Sequence, residues 1–278
     1  MTIVLSGASG FIGSRLRPAL TDASVRTVVC RRGWDAAILQ GTDAVIHLAG
    51  EPVAQRWTAG AKQRILDSRV QGTRGLVEAM AALAEPPKVL VCASAIGYYG
   101  SRGSEILTES SPPGTGFLPE VCIAWEREAL AAESLGVRVV PLRIGIVLDT
   151  RGGALKRMLP PFRLGLGGRI GTGNQWMSWI HIDDLISLIR FVLVHPLRGP
   201  VNAVAPEPVT NSDFTRALAS ALRRPAFLPV PSAALQILFG EMSEVLLASQ
   251  RVLPRKAVSA GFSFRYAHLP DALADLFR

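Results

Sequence analysis

Cysteine is scarce in this chain of 278 residues, which holds three, at Cys30, Cys92 and Cys122. An odd set with two members inside apolar, strand-like runs argues against a disulfide framework and suits free thiols in a reducing compartment. None stands at a metal-ligand spacing, so no metal is expected. Long apolar runs are also missing. Gly, Pro or a charge interrupts every stretch before the ~20 residues a spanning helix needs, and the N-terminus has neither a basic leader nor a small-residue cleavage site. The expectation is a cytoplasmic protein with no membrane partner. Internal repeats and low-complexity segments are absent as well, and the apolar content of 49% excludes disorder.

Carboxylates are outnumbered, 22 against 30 Lys and Arg, for a formal net charge of +8. Such a balance raises nucleic-acid binding as a function, since phosphate backbones attract clustered cations. The clusters are lacking. Basic residues are scattered, with short pairs at Arg31-Arg32, Lys156-Arg157, Arg223-Arg224 and Arg255-Lys256, and no nucleic-acid-binding signature interleaves them. The expected partner is a small molecule and not a nucleic acid.

What is present is a repeating alternation of apolar strands and helices. Thr2 to Leu5 reads as a buried strand, Phe11 to Leu20 as a helix and Val25 to Cys30 as a second strand, a βαβ unit of about 30 residues. "DAVIHLAG" (43–50), a helical stretch from Lys62 to Leu83, the strand Val89 to Cys92, the helix "AWEREALAAESLG" and the strand "VRVVPLRIG" continue the pattern. Strands apolar on both faces and alternating with helices imply a doubly wound parallel sheet of Rossmann type. After about Thr150 the chain becomes rich in Gly and Pro, and 151–176 reads as a long loop with a binding or lid role. "IDDLISLIRFVLVH" is helical again, with Asp183 and Asp184 in its first turn. The division expected is a cofactor domain over 1–150, joined by a strand and helix near 178–204, and a smaller substrate-binding subdomain mainly within 151–278.

The first strand runs into "GASGFIG", with Gly7, Gly10 and Gly13 at a strand-to-helix junction. A sharp turn without side chains exposes helix amides to a pyrophosphate, and the helix dipole adds to the attraction. At the end of the second strand a carboxylate would select NAD through the ribose hydroxyls, whereas a 2′-phosphate wants a guanidinium. The sequence there is "VVCRRG". Arg31 and Arg32 therefore point to NADP(H).

"GASGFIG", "DAVIHLAG", "SRVQGTRGLVEAM", "PLRIGIVL" and "WIHIDDLI" together resemble the extended short-chain dehydrogenases in order and spacing. "LAGEPV", "SAIGYYG" and "LPPFRLGLGG" narrow the resemblance to their atypical nucleoside-sugar-epimerase-like branch, sometimes labelled cell-division-inhibitor-like. The likeness covers essentially the whole chain. It implies that Gly7, Ser9, Gly10, Phe11, Ile12 and Gly13 hold the pyrophosphate and that Arg31 and Arg32 take the adenosine phosphate. Leu48, Ala49 and Gly50 would line the adenine and ribose side, Arg69 would reach the cofactor from its helix, and Ala93, Ser94 and Ile144 would lie near the nicotinamide. Members often pair through helices flanking the sheet, so a homodimer is the default expectation.

The usual proton carrier of that superfamily is a Tyr with a Lys four residues later, the cation making the phenol a better acid. This chain lacks the pair. Tyr98, Tyr99 and Tyr266 are followed at that distance by Arg102, Gly103 and Pro270, and the only lysines are Lys62, Lys88, Lys156 and Lys256. The corresponding positions fall on Leu118 and Cys122. Ser94, at the C-terminal end of a parallel strand, matches the superfamily's active-site Ser or Thr, and Tyr98 and Tyr99 follow in the same loop, as an acid near a cation such as Arg102 or as packing. Cys122 and Glu51 are weaker candidates for proton transfer, and His47 reads as a core histidine. Downstream, Gln175, Trp176 and Trp179 beside a Gly-rich loop suit a ring-bearing or sugar-like ligand, and Arg163 and Arg169 suit an anionic group. The reading is an NADP(H)-dependent oxidoreductase or epimerase. A cofactor-binding regulatory protein that has lost turnover is the alternative.

Overall fold

The computed structural model describes residues 1–21, 23–28 and 33–278. Strands β1 (Thr2–Ser6), β2 (Ser24–Val28), β3 (Ala44–His47) and β4 (Val89–Ala95) are separated by α1 (Phe11–Leu16), α2 (Ala36–Leu39) and α3 (Ala59–Ala81). A two-residue strand β5 (Ile106–Leu107) and α4 (Phe117–Leu130) lead to β6 (Arg138–Ile144) and β7 (Ile146–Leu148). Next come α5 (Gly153–Arg163), β8 (Trp176–Met177), β9 (Trp179–His181), α6 (Ile182–Val194) and β10 (Val201–Ala203). The chain ends with β11 (Val209–Thr210), α7 (Asn211–Leu222), α8 (Ser232–Phe239), α9 (Ser243–Leu247), β12 (Arg251–Val252), α10 (Arg255–Ser259) and α11 (Leu269–Leu276).

Six strands form one parallel sheet in the order β10-β6-β4-β3-β1-β2. Alternate residues of each strand feed two apolar layers. Ile3, Leu5, Val89 and Val91 pack with α6 residues Leu185, Ile189 and Val192, while Val4, Val45 and Leu90 pack with Leu76 and Met80 of α3 and Trp125 of α4. This two-sided burial is why the strands read as unbroken apolar runs. Strand order reverses between β1 and β3, so the crevice beyond their C-terminal ends is where open sheets of this kind bind ligands.

Two expectations change. The stretch 151–176 is not all loop, because α5 places Leu155, Leu159 and Phe162 on one buried stripe at helical spacing, with Pro160 and Pro161 tolerated in its last turns. The helix before β6 starts at Phe117, so "FLPEVC" is its first part rather than a lead-in. Asp184 is buried, and its carboxylate accepts the backbone N–H groups of Arg265 and Tyr266, both at 2.9 Å. From the first turn of α6, where the sequence places it, it docks the C-terminal segment onto that helix. That segment shares a separate core with α5 and α7, built on Leu155, Phe162, Phe214, Leu218, Tyr266 and Leu273. Among the described residues no helix is long and apolar enough to cross a membrane.

Candidate active site

The glycine loop lies at the crevice between β1 and β3. Gly7 sits at φ +75°, and a Cβ there would meet the backbone of Leu48 and Ala49 at 2.8 Å. A Cβ on Gly13 would lie 2.2 Å from the Gly7 carbonyl oxygen. Only glycine fits either position, since the backbones approach too closely for a side chain. Gly10 is extended and gives α1 no side-chain cap, so the amides at the start of that helix remain free to bind an anion. Ser9 and Gly10 are exposed while Phe11 and Ile12 are half-buried against the core. Ser9, Gly10, Phe11, Ser14, Arg15 and Arg151 line an open groove of about 420 Å³. Arg31 and Arg32 lie outside the described residues.

The turn after β3 is built around Arg69. Its guanidinium donates to the carbonyls of Glu51 (3.0 Å) and Ile65 (3.1 Å) and lies 4.9 Å from the Trp125 ring. Burial draws its pKa below the usual value. A Cβ on Gly50 would touch this guanidinium at 3.3 Å. Arg69 therefore props the turn carrying Leu48, Ala49 and Gly50. Glu51 accepts from the Gln55 amide at 3.0 Å, a turn role. His47 is buried, with Nδ1 2.6 Å from the Ser6 hydroxyl and its ring edge-on to Trp34, and desolvation pushes its pKa down to about 4. It is a neutral core histidine.

At the ends of β4, β6 and β10 the strands present a buried polar network. Ser94 donates to Glu126 Oε1 at 2.6 Å, and Arg143 grips the same carboxylate with Nε and Nη2, both at 2.8 Å. Arg143 Nη1 also donates to the Tyr99 hydroxyl at 2.9 Å, which donates to Asn202 Oδ1 at 2.7 Å. Burial works against the Arg143 charge, but Glu126 more than compensates and raises its pKa. A paired, fully hydrogen-bonded arrangement is the form in which such charges persist in a core. The Tyr98 ring covers the guanidinium, its centroid 3.4 Å from Cζ, a cation–π contact. Gln250 clamps this loop by donating to the carbonyls of Ile96 (2.9 Å) and Gly100 (3.0 Å).

A model of the NAD-dependent epimerase/dehydratase family matches residues 3–205. The chain belongs to that family. A domain of unknown function matches residues 230–276. The chloroplastic epimerase family protein SDR39U1 homolog of Arabidopsis thaliana is 40% identical over 98% of this chain and 86% of its own. The crystal structure of the human epimerase family protein SDR39U1 with NADPH is 33% identical, with a TM-score of 0.90 over 100% of this chain and 99% of the other. The nucleoside-diphosphate sugar epimerase of Corynebacterium glutamicum is 34% identical, with a TM-score of 0.81 over 100% of this chain but 58% of its own.

In this family member the loop after β4 faces Leu118 and Cys122, since a Cβ on Gly97 would lie 3.4 Å from Leu118 and 3.9 Å from the Cys122 sulfur. Neither replaces the missing proton carrier. Leu118 has no proton to give, and burial pushes the Cys122 thiol up to about 12. Tyr99 is corrected from candidate acid to structural residue, being fully buried with its hydroxyl held on both sides and its pKa pushed up to about 12 by burial. Arg102 is engaged by Glu105 at 2.9 Å and does not activate a phenol. Ala93 is buried and Ile144 half-buried, with Ala93 packed among the α3 and α4 layer and Ile144 touching both layers.

Two lid candidates also move into the framework. Trp179 is fully buried among Leu148, Phe162 and Phe214, and its indole donates to the Glu207 carbonyl at 3.0 Å. Gln175 is buried and donates to the Ile170 carbonyl at 3.1 Å. β9 is buried along its whole length, with Trp179 turned to the core shared with α5 and α7 and Ile180 to the layer packed on α6. Trp176 is half-buried with the Arg251 guanidinium 4.2 Å from its ring, Arg163 is exposed, and Arg169 is exposed with one bond to the Thr172 carbonyl. Glu126, Arg143 and Asn202 escaped the sequence reading. The first two were signalled by a charge on the apolar stripe of α4, between Cys122 and Ala129, and a charge inside the apolar strand "VVPLRI", whereas Asn202 in β10 carried no such mark.

Proposed function

We propose that this chain is an NADP(H)-dependent enzyme acting on a carbonyl or hydroxyl carbon of a small sugar-like or nucleotide-linked molecule, by net redox or internal epimerisation. The observation that carries the proposal is the glycine cradle, where side chains at Gly7 and Gly13 would collide with backbone beside uncapped helix amides. The NADPH in the human relative supports it, as does the nucleoside-diphosphate sugar activity named for the Corynebacterium relative. NADP(H), when bound, supplies or accepts a hydride at C4 of its nicotinamide.

The protein's own groups divide as follows. Amides from Gly7 to Gly13, with Ser9, Phe11 and Ile12, hold the diphosphate, and Arg31 and Arg32 take the 2′-phosphate. Leu48, Ala49 and Gly50 line the adenine and ribose, and Ala93 and Ile144 flank the nicotinamide. Because an ionised carboxylate only accepts, the Ser94 proton is committed to Glu126 and the Ser94 oxygen offers lone pairs to a substrate hydroxyl. Tyr98, half-buried and without a hydrogen bond from its hydroxyl to any described residue, is the acid that remains. Arg163, Arg169 and Trp176 engage the substrate. Residues 1–150 with 178–204 hold the cofactor and 151–278 mainly the substrate. The buried free thiols Cys92 and Cys122 suit the cytoplasm, and pairing through sheet-flanking helices makes a homodimer.

NADPH fluorescence tests the reading. Binding followed by decay with one member of a carbonyl panel is the expected result; Tyr98→Phe should slow that decay about 100-fold or more, and Ser94→Ala should slow the reverse oxidation of the hydroxyl product, both while sparing binding. Leu118 and Cys122 facing the loop favour a second reading, a regulatory NADP(H)-binding protein. Binding without decay across the panel would decide for it, and absence of binding would refute both.

A further inference from the structure

Two segments of the chain, 150–182 and 214–240, contain no Asp or Glu. The first carries Arg151, Lys156, Arg157, Arg163 and Arg169 and the second Arg216, Arg223 and Arg224, together equal to the whole formal net charge of +8. The fold brings the two side by side. Leu228 N–H donates to the Gly167 carbonyl, Val230 N–H to the Arg169 carbonyl and Gly171 N–H to the Val230 carbonyl, and a Cβ on Gly165 would touch Pro225 at 3.3 Å.

Around that junction the apolar residues face water. Leu164 is 73% exposed, Leu166 55% and Phe227 72%, the highest values in either segment outside α8, where Ile237 and Leu238 add 77% and 66%. Arg163, Arg223 and Arg224 beside them are exposed, and none has a side-chain partner among the described residues. Arg223 is also the only described non-glycine residue in the left-handed region, at φ 52°. It caps α7 where glycine is the usual choice, so folding alone does not account for an arginine at that position.

We propose that this face is a docking surface for an anionic phospholipid bilayer, with Leu164, Leu166 and Phe227 entering the headgroup boundary and Arg223 and Arg224 pairing with lipid phosphates. Exposed large apolar tips beside arginines that have no side-chain partner among the described residues fit an interface that is apolar beneath and negative at its surface. A second copy of this chain does not fit, because a two-fold contact through the same patch sets arginine against arginine. The contact lies on the membrane without crossing it, and it replaces the expectation of no membrane partner, which rested on the lack of a spanning run.

Flotation of the full-length protein with vesicles of phosphatidylglycerol and phosphatidylcholine, against phosphatidylcholine alone, tests this. Binding is expected only to the anionic vesicles and is released by salt. Each arginine contributes about fivefold to partitioning, so removing Arg223 and Arg224 together should weaken it roughly 25-fold. Phe227→Ser, at an exposed site, should weaken it without unfolding the protein. Arg223→Gly separates docking from folding, since it should keep or raise the melting temperature while lowering vesicle binding. Equal partitioning onto neutral and anionic vesicles, or anionic binding untouched by these changes, overturns the proposal. So does a dimer in sedimentation that Phe227→Ser dissolves while no vesicle is bound.

Discussion

Removing the Glu126 carboxylate strands a charge in the interior. Arg143 makes two 2.8 Å bonds to it, and the side chains of the pair are only 3% and 6% exposed, so solvent cannot step in. Truncating one partner of such a pair costs about 3–5 kcal/mol, because the other charge is left buried and unpaired. Glu126→Ala should therefore lower the melting temperature by roughly 6–15 °C, taking about 2–3 °C for each kcal/mol in a chain of this size. The double change Glu126→Leu with Arg143→Met removes both charges and should recover most of the loss, giving a coupling energy of about 2 kcal/mol or more. Urea unfolding of the wild type, Glu126→Leu, Arg143→Met and the double closes the cycle. If Glu126→Ala costs less than about 1 kcal/mol, or if the double variant is as unstable as the sum of the singles, the network does not hold the β4, β6 and β10 ends together. The NADPH affinity of the folded double variant should stay within a few fold of wild type, because the glycine loop is a separate contact set.

Gly13→Ala should destabilise the fold by about 1–3 kcal/mol through overpacking and weaken NADPH binding, which fluorescence titration would detect; unchanged affinity would disprove the cradle. His47 stays neutral when folded, with a pKa near 4 against 6.5 unfolded, so the unfolded chain binds its proton first. Its contribution is complete above the unfolded value and is lost as pH falls from 6.5 toward 4, by roughly 3 kcal/mol, and His47→Asn should flatten the pH dependence of urea stability in that window. Trp179→Ala should cost about 3–5 kcal/mol in unfolding assays as a core cavity. Its effect on substrate KM, once the fold is rescued at low temperature, should be small.

Much of this protein was decided locally and is therefore legible along the chain. The apolar runs at Thr2–Ser6, Val89–Ala95 and Arg138–Ile144 follow from burial on both faces, and the glycine spacing after β1 follows from backbone approach that only a missing Cβ permits. The absence of Tyr and Lys at their usual separation is likewise a property of sequence alone. What tertiary structure decided is which polar groups meet. Ser94, Glu126, Arg143, Tyr99 and Asn202 span 109 positions, and no local pattern pairs a helix carboxylate with a strand guanidinium. The same holds for Trp179 and Gln175, whose residue types suit a ligand but whose neighbours make them core. Side-chain chemistry is written residue by residue. Whether a group is available to a substrate depends on what the fold sets against it, and that is a long-range property.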